Sequence, residues 1–160
     1  MTEKKNSKIV LLVDSREPTG LYTFKKMKDV FIVRDNLDCG DFSVFPYNSD
    51  HFFIERKTLA DLAGSFTSGR ERFAAEWKRA KPEASKTLLV EGDFISIILN
   101  DYRSNFTPAS FLGSLFSWSI KYKFNIIFVK NSSEGQIVVY WLCREFLRQM
   151  ELQKMEAKNG

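Results

Sequence analysis

Asp38-Cys39-Gly40-Asp41-Phe42-Ser43-Val44-Phe45-Pro46, a polar stretch at Asn48-Ser49-Asp50, then His51-Phe52-Phe53-Ile54-Glu55-Arg56-Lys57 is the segment that decides the fold. Two β-rich runs around a polar turn predict a hairpin. The second run stays apolar through Ile54 and then becomes charged without a break. Successive side chains of a strand alternate faces, so Glu55 and Lys57 share one face and Arg56 takes the other. Asp41 opens the neighbouring arm. A carboxylate from each arm makes a hard-oxygen pair suited to Mg²⁺. A lysine beside that pair can orient a water or steady the charge on a phosphate. Alone, E-x-K is also the pattern of a solvated strand face, so the short motif does not decide the chemistry.

Upstream, Ile9 to Val13 is a continuous apolar run that stops at Asp14, the pattern of a short buried strand. Pro18 and Gly20 mark a turn, and a short helix is expected over Leu21 to Lys28, before a second strand from Val30 to Arg34. Downstream the pattern turns helical at Thr58, breaks at Ser68-Gly69, and resumes from Arg70 to Ala80 until Pro82. Phe73 and Trp77 lie four apart there, a core-facing pair. Thr87 to Glu91 predicts a strand ended by Gly92. Asp93 to Asn100 fits neither pattern, and Ser104 to Pro108 reads as a loop. A helix over Ala109 to Lys123, a strand over Asn125 to Val129 and a helix over Glu134 to Leu152 with a frayed charged tail complete the chain. Early strands followed by alternating helices and strands predict an α/β sheet covered on both faces.

The 160 residues fit one domain, with a flexible basic leader over Met1 to Lys8 and a core over about 8–148. With 44% hydrophobic and 28% charged residues, disordered and coiled-coil classes fall away. The 15 phenylalanines supply a core without disulfides or a structural metal. No apolar run approaches the roughly 18 residues of a membrane span, and the first residues are too polar for a signal peptide. Cys39 and Cys143 cannot build a disulfide framework, which predicts a reducing, intracellular setting. A single histidine excludes sites that need two. A net charge of +4 permits nucleic acid as a partner.

The longer string is more specific: Gly40-Asp41, thirteen residues, Glu55-Arg56-Lys57, three residues, Asp61. It resembles the signature of the XPF-type structure-specific endonucleases. Val13-Asp14-Ser15-Arg16-Glu17 resembles the family's V-D-x-R-E, and Leu37 to Asp41 its L-x-x-G-D. Ser68-Gly69-Arg70 falls where the family has G-R, and Leu88 to Gly92 resembles L-x-x-E-G. The resemblance covers roughly residues 8–148. It implies a restriction-endonuclease-like core, a central mixed sheet with helices on both faces. It also implies a metal-dependent DNA endonuclease of repair or recombination that cuts branched, flap or junction DNA, leaving 5′-phosphate and 3′-hydroxyl ends. The cofactor would be Mg²⁺, with Mn²⁺ as a substitute. Asp41 and Glu55 would be metal ligands, with Asp14 bordering the same pocket as a third metal-site carboxylate and the Arg56 carbonyl as a further donor. Lys57 would be the catalytic lysine. The matched catalytic set is thus Asp14, Asp41, Glu55, Arg56, Lys57 and Asp61.

Some members of that set have structural readings. Alternation turns the Arg56 side chain away from the metal, toward a supporting ion pair. Thr58-Leu59-Ala60-Asp61 fits a capping box, which favours a helix-start role for Asp61. Arg16, Arg70, Arg72 and Lys78 are the candidate DNA contacts, with Arg79 and Lys81 extending the basic stripe. His51 reads as a turn or strand-edge residue, and Cys39 as a small residue before a tight turn at Gly40. Many family members carry a glutamine shortly after G-R; here that neighbourhood holds Glu71 and Glu76. The 160 residues leave no room for a tandem helix-hairpin-helix domain, so branch preference is expected to involve a separate DNA-binding partner protein. Ile137 to Leu142 is apolar all round, which predicts a homodimer through the C-terminal helices unless the helix over Ala109 to Lys123 covers it. The competing functions are a catalytically silent DNA-binding or scaffold subunit, and a junction resolvase or restriction-type enzyme on the same fold.

Overall fold

In the computed structural model residues 8–160 are described, so the expected basic leader lies, but for Lys8, outside the described residues. The apolar runs become strands β1 (Ile9–Asp14), β2 (Val30–Asp35), β3 (Phe42–Val44), β4 (Phe52–Thr58), β5 (Ser85–Glu91) and β6 (Asn125–Val129). They form one mixed six-stranded sheet in the order β2-β1-β3-β4-β5-β6. β1 runs parallel to β2 and antiparallel to β3, which pairs antiparallel with β4. β4, β5 and β6 run parallel. The three-residue β3 therefore sits mid-sheet, and the ends of β1, β3 and β4 that carry the charges meet.

Alternation along the strands divides the core in two. Phe53, Leu88 and Val90 point to the side covered by α1 (Leu59–Phe66), α2 (Arg70–Arg79) and α4 (Pro108–Tyr122). Leu11, Val13, Phe52, Ile54 and Leu89 point to the other side, under α5 (Ser132–Asn159) and the segment holding Tyr22 and Phe24. With both faces covered, β4 is apolar at every position from Phe52 to Ile54. Each such buried side chain contributes about 1.5–3 kcal/mol relative to exposure. Helix starts are set by side-chain caps: Thr58 for α1, Thr107 followed by Pro108 for α4, and Asn131 for α5.

Three expectations change. No helix forms over residues 21–28. Tyr22 and Phe24 are both buried against Phe42, and a spacing of two suits extended chain, not a helical turn. Phe24 also has a positive φ of 51° and donates its N–H to Gln136 Oε1 at 2.7 Å. The Tyr22 ring lies so close to α5 that a Cβ at Gly135 would meet its hydroxyl at 2.1 Å. The unassigned stretch after Gly92 holds a short helix, α3 (Phe94–Ile98), capped by Asp93. The final helix begins at Ser132 and runs to Asn159 instead of fraying at Leu152, over residues that are nearly all good helix formers.

α4 and α5 lie on opposite faces of the sheet, so α4 does not cover α5. Ile137 and Trp141, one turn apart on α5, are each 52% exposed. Among the described residues no helix is long and apolar enough to cross a membrane.

Candidate active site

Gly40 sets up the site. Its φ of +67° is a left-handed conformation that glycine adopts without penalty, and a Cβ there would meet Phe53 Cδ2 at 2.4 Å. Glycine thus lets the chain turn tightly against β4 and deliver Asp41 beside it. The Asp41 N–H donates to the Ile54 carbonyl at 2.9 Å, and the Arg56 N–H donates to Asp41 Oδ2 at 2.7 Å. Asp41 and Glu55 therefore face one pocket of about 350 Å³, together with Lys57 and, from α2, Arg72, Glu76 and Arg79. Arg16 closes another side.

The two carboxyl groups are strained electrostatically. Burial raises the Asp41 pKa to about 7, and the charge of Glu17 adds to the effect. Glu55 is pushed well above the usual range by burial, then by the charges of Asp41 and Glu76. Lys57 Nζ pairs with Glu55 Oε1 at 3.0 Å. Burial opposes the ammonium charge, but Glu55, with the charges of Asp41 and Glu76, outweighs it and Lys57 is held more firmly protonated than usual. Glu55 Oε2 has no hydrogen-bond partner although the side chain is only 4% exposed. The other unpartnered buried atom, Trp77 Nε1, lies in the aromatic cluster with Phe53, Phe73 and Phe124. Among the described residues, Glu55 alone brings an orphaned buried oxygen to the pocket.

The oxygen donors on Asp41 and Glu55 fit a hard divalent cation. Both are carboxylates on rigid backbone, and one buried oxygen awaits a partner. Among the described residues no three Asp, Glu, His or Cys side chains form a ready-made metal cage. A cation that keeps several waters and takes one or two carboxylates suits such a site, as Mg²⁺ does.

The remaining candidates divide. Asp14 is buried at the end of β1 with both oxygens engaged. Oδ1 accepts from Arg16 Nε at 2.7 Å and Oδ2 from the Leu37 N–H at 2.9 Å. Burial works against its charge, but the Arg16 and Leu37 hydrogen bonds win and lower its pKa. It stands behind Arg16 and does not line the pocket. Arg56 points to the opposite face, where Nε meets Glu17 Oε2 at 3.0 Å and Nη1 meets Glu91 Oε2 at 3.3 Å. Tyr22 donates to Glu91 Oε1 at 2.6 Å, completing a back-side network. Asp61 is exposed in the first turn of α1, its N–H bonded to Thr58 Oγ1 at 3.2 Å.

Of the basic candidates, Arg16 and Arg72 line the pocket. Arg70 does not: it stacks over the Trp118 ring at 5.0 Å and donates to the Phe66 carbonyl at 3.2 Å. Lys78 sits on the solvent side of α2, turned from the pocket by helical periodicity. Sequence reasoning assigned Glu76 no role at the site and placed Arg79 only in the basic stripe, not in the pocket. The available signal was the spacing of Arg72, Glu76 and Arg79, one and two turns apart beside the buried pair Phe73 and Trp77.

Residues 13–142 match the family model described as the ERCC4 domain. The fold is similar to that of XPF from Aeropyrum pernix in a structure of its complex with DNA. The TM-score is 0.68 and the identity 21%, over 89% of this chain and 66% of that one. A second structure of XPF from Aeropyrum pernix gives a TM-score of 0.67 and 23% identity, over 84% of this chain and 60% of that one. This chain therefore spans less than two thirds of the length of either. At such identities the likeness speaks for the fold alone, the restriction-endonuclease-like α/β sheet expected from the motifs. No curated protein matches the chain. The family model, however, takes in the Asp41 turn, all of β4 and α2, and most of the sheet: the chain belongs to the ERCC4 domain family.

Proposed function

We propose that the protein is a metal-dependent endodeoxyribonuclease that hydrolyses phosphodiester bonds in branched, flap or junction DNA. The observation that carries this reading is the half-buried Asp41 beside the buried Glu55, whose Oε2 has no partner, at a pocket that Lys57 also lines. Asp41 and Glu55 would hold Mg²⁺ or Mn²⁺, with the Arg56 carbonyl as a further donor. When bound, such an ion polarises a phosphoryl oxygen and lowers the pKa of a water. Lys57, fixed by Glu55, presents its ammonium to the phosphate as negative charge grows on it. Arg16, Arg72 and Arg79 line the same pocket and would neutralise the flanking phosphates. Asp14 acts through Arg16, whose guanidinium it clamps with two oxygens.

Labelled duplex, flap, fork and four-way DNAs, each with Mg²⁺, Mn²⁺ or chelator, provide the test. Cleavage of branched substrates only with metal is expected. Salt-dependent binding without cleavage under any condition would instead favour the silent scaffold subunit. Both cysteines are buried free thiols, which fits an intracellular enzyme.

The side-chain placements give a binding prediction. Arg72→Ala or Arg79→Ala should weaken binding to every DNA structure about equally and lower the salt slope by about one. Arg70→Ala should instead lower the melting temperature, since it removes a contact with Trp118, and Lys78→Ala should change neither property. Fluorescence anisotropy across a salt series, paired with thermal melts, reads both outcomes.

The open face of α5 supports a homodimer through Ile137 and Trp141. Light scattering should give twice the 18.6 kDa chain mass, falling toward the single-chain value in Trp141→Glu. A wild-type particle of the single-chain mass at micromolar concentration would rule the dimer out.

A further inference from the structure

Glu76 is the pocket's acidic group that no motif announces. It projects from α2, and its Oε1 accepts the Gly40 N–H at 3.2 Å, at the turn that delivers Asp41. It lies within hydrogen-bonding reach of Glu55, and its negative charge bears on Asp41 and Glu55 alike. Three carboxyl groups thus converge where Lys57 forms its ion pair with Glu55. Arg16 is engaged by Asp14, and Arg79 Nε donates to the Asp38 carbonyl at 3.0 Å.

The acidic convergence would mean little without the unpartnered oxygen. Glu55 Oε2 is fully shielded from water and has no donor. A buried carboxylate oxygen left so is costly unless a proton or a cation meets it. Glu76 cannot satisfy it as an anion, because a carboxylate only accepts. Nor is Glu76 placed to complete a three-carboxylate cage. It stands on the helix α2, with an oxygen already fixed on the turn that carries Asp41.

We propose that Glu76 is the outer acidic group of the cation site, a positioning residue that would raise cation affinity by its charge without itself being a ligand. The inference rests on the reading of Asp41 and Glu55 as cation ligands. Outer partners of this kind are typically worth about ten- to a hundredfold in metal affinity.

The test titrates the full chain with Mn²⁺ and follows free Mn²⁺ by electron paramagnetic resonance, with thermal melts in chelator as a folding control. Glu76→Gln keeps the shape and an acceptor for the Gly40 N–H but removes the charge. Its Mn²⁺ Kd should rise about tenfold or more, with no loss of melting temperature in chelator. Glu76→Asp keeps the charge but shortens the reach to Gly40, and it should bind Mn²⁺ more tightly than Glu76→Gln. A residue that only anchored the loop would give the reverse order, and that order overturns the proposal. An unchanged Kd in Glu76→Gln, with weakened binding in Asp41→Asn, overturns it while sparing the ligand assignment. If the wild-type chain binds no Mn²⁺, or Asp41→Asn binds it as well as the wild type, the ligand assignment itself falls.

Discussion

Asp41→Asn is expected to reduce metal-dependent cleavage about a thousandfold or more and to leave the protein folded. The loss follows from the chemistry of the donor: an amide oxygen carries no net charge, and hard divalent cations select for carboxylates. Forfeiting several kcal/mol of Lewis-acid stabilisation corresponds to that rate factor. Folding should survive because the substituted side chain keeps an oxygen for the Arg56 N–H, 2.7 Å from Oδ2 in the parent. Stability in chelator provides the control. Burial raises the folded pKa of Asp41 to about 7, with the charge of Glu17 adding to it, above the unfolded value near 4. The folded state therefore holds its proton longer than the unfolded state. The parent loses stability as pH rises through that window, to about pH 7, and Asp41→Asn should flatten this loss. Thermal melts from pH 5 to 8 in chelator, beside single-turnover cleavage with Mg²⁺, check both halves. Wild-type cleavage by Asp41→Asn would remove this residue from the site.

Lys57→Ala should lower the cleavage rate by about a hundred- to a thousandfold, the usual scale for deleting one pre-placed electrostatic group. Its signature differs from that of Asp41→Asn. Lys57 competes with a cation for Glu55, to whose Oε1 it is bonded at 3.0 Å, so Mn²⁺ binding should persist or tighten. Without metal the variant should be less stable, because both Glu55 oxygens then lie buried without a donor. Added Mn²⁺ should restore the melting temperature without restoring the rate. Recovery of both together would mean that Lys57 serves the fold and not the chemistry.

The sheet was legible where one period dominated. The β3 and β4 runs and the polar turn between them announced the hairpin, and strict alternation was enough to separate Glu55 and Lys57 from Arg56. Residues 21–28 misled because their apolar residues also fit a helical turn. The docking of Tyr22 and Phe24 beneath α5, a contact across more than a hundred residues, holds them in an irregular, non-helical path. The site was legible as far as it is built from strands. Glu76 and Arg79 come from α2, whose rotation against the sheet is fixed by Phe73 and Trp77 in the aromatic core. Composition marked that helix as basic without saying which charges turn inward, so Arg70 and Lys78 looked equivalent to Arg72. Asp14 was visible as the acidic end of a strand. What sequence could not give was that Arg16, two residues on, folds back over it.

β4 places residues of opposite consequence next to each other. Glu55 and Lys57 open to the pocket, while Arg56 is locked behind the sheet to Glu17 and Glu91. Three adjacent codons would therefore yield two kinds of allele. Where divalent metal is plentiful enough to replace the lost pairing, changes at the first or third would leave a full-length, normally abundant protein that is idle. A change at the middle codon would strand two half-buried acids and lower the amount of protein in the cell through faster clearance of the unfolded chain. A screen scoring abundance and activity separately would see the phenotype alternate along the gene with the pleat of the strand.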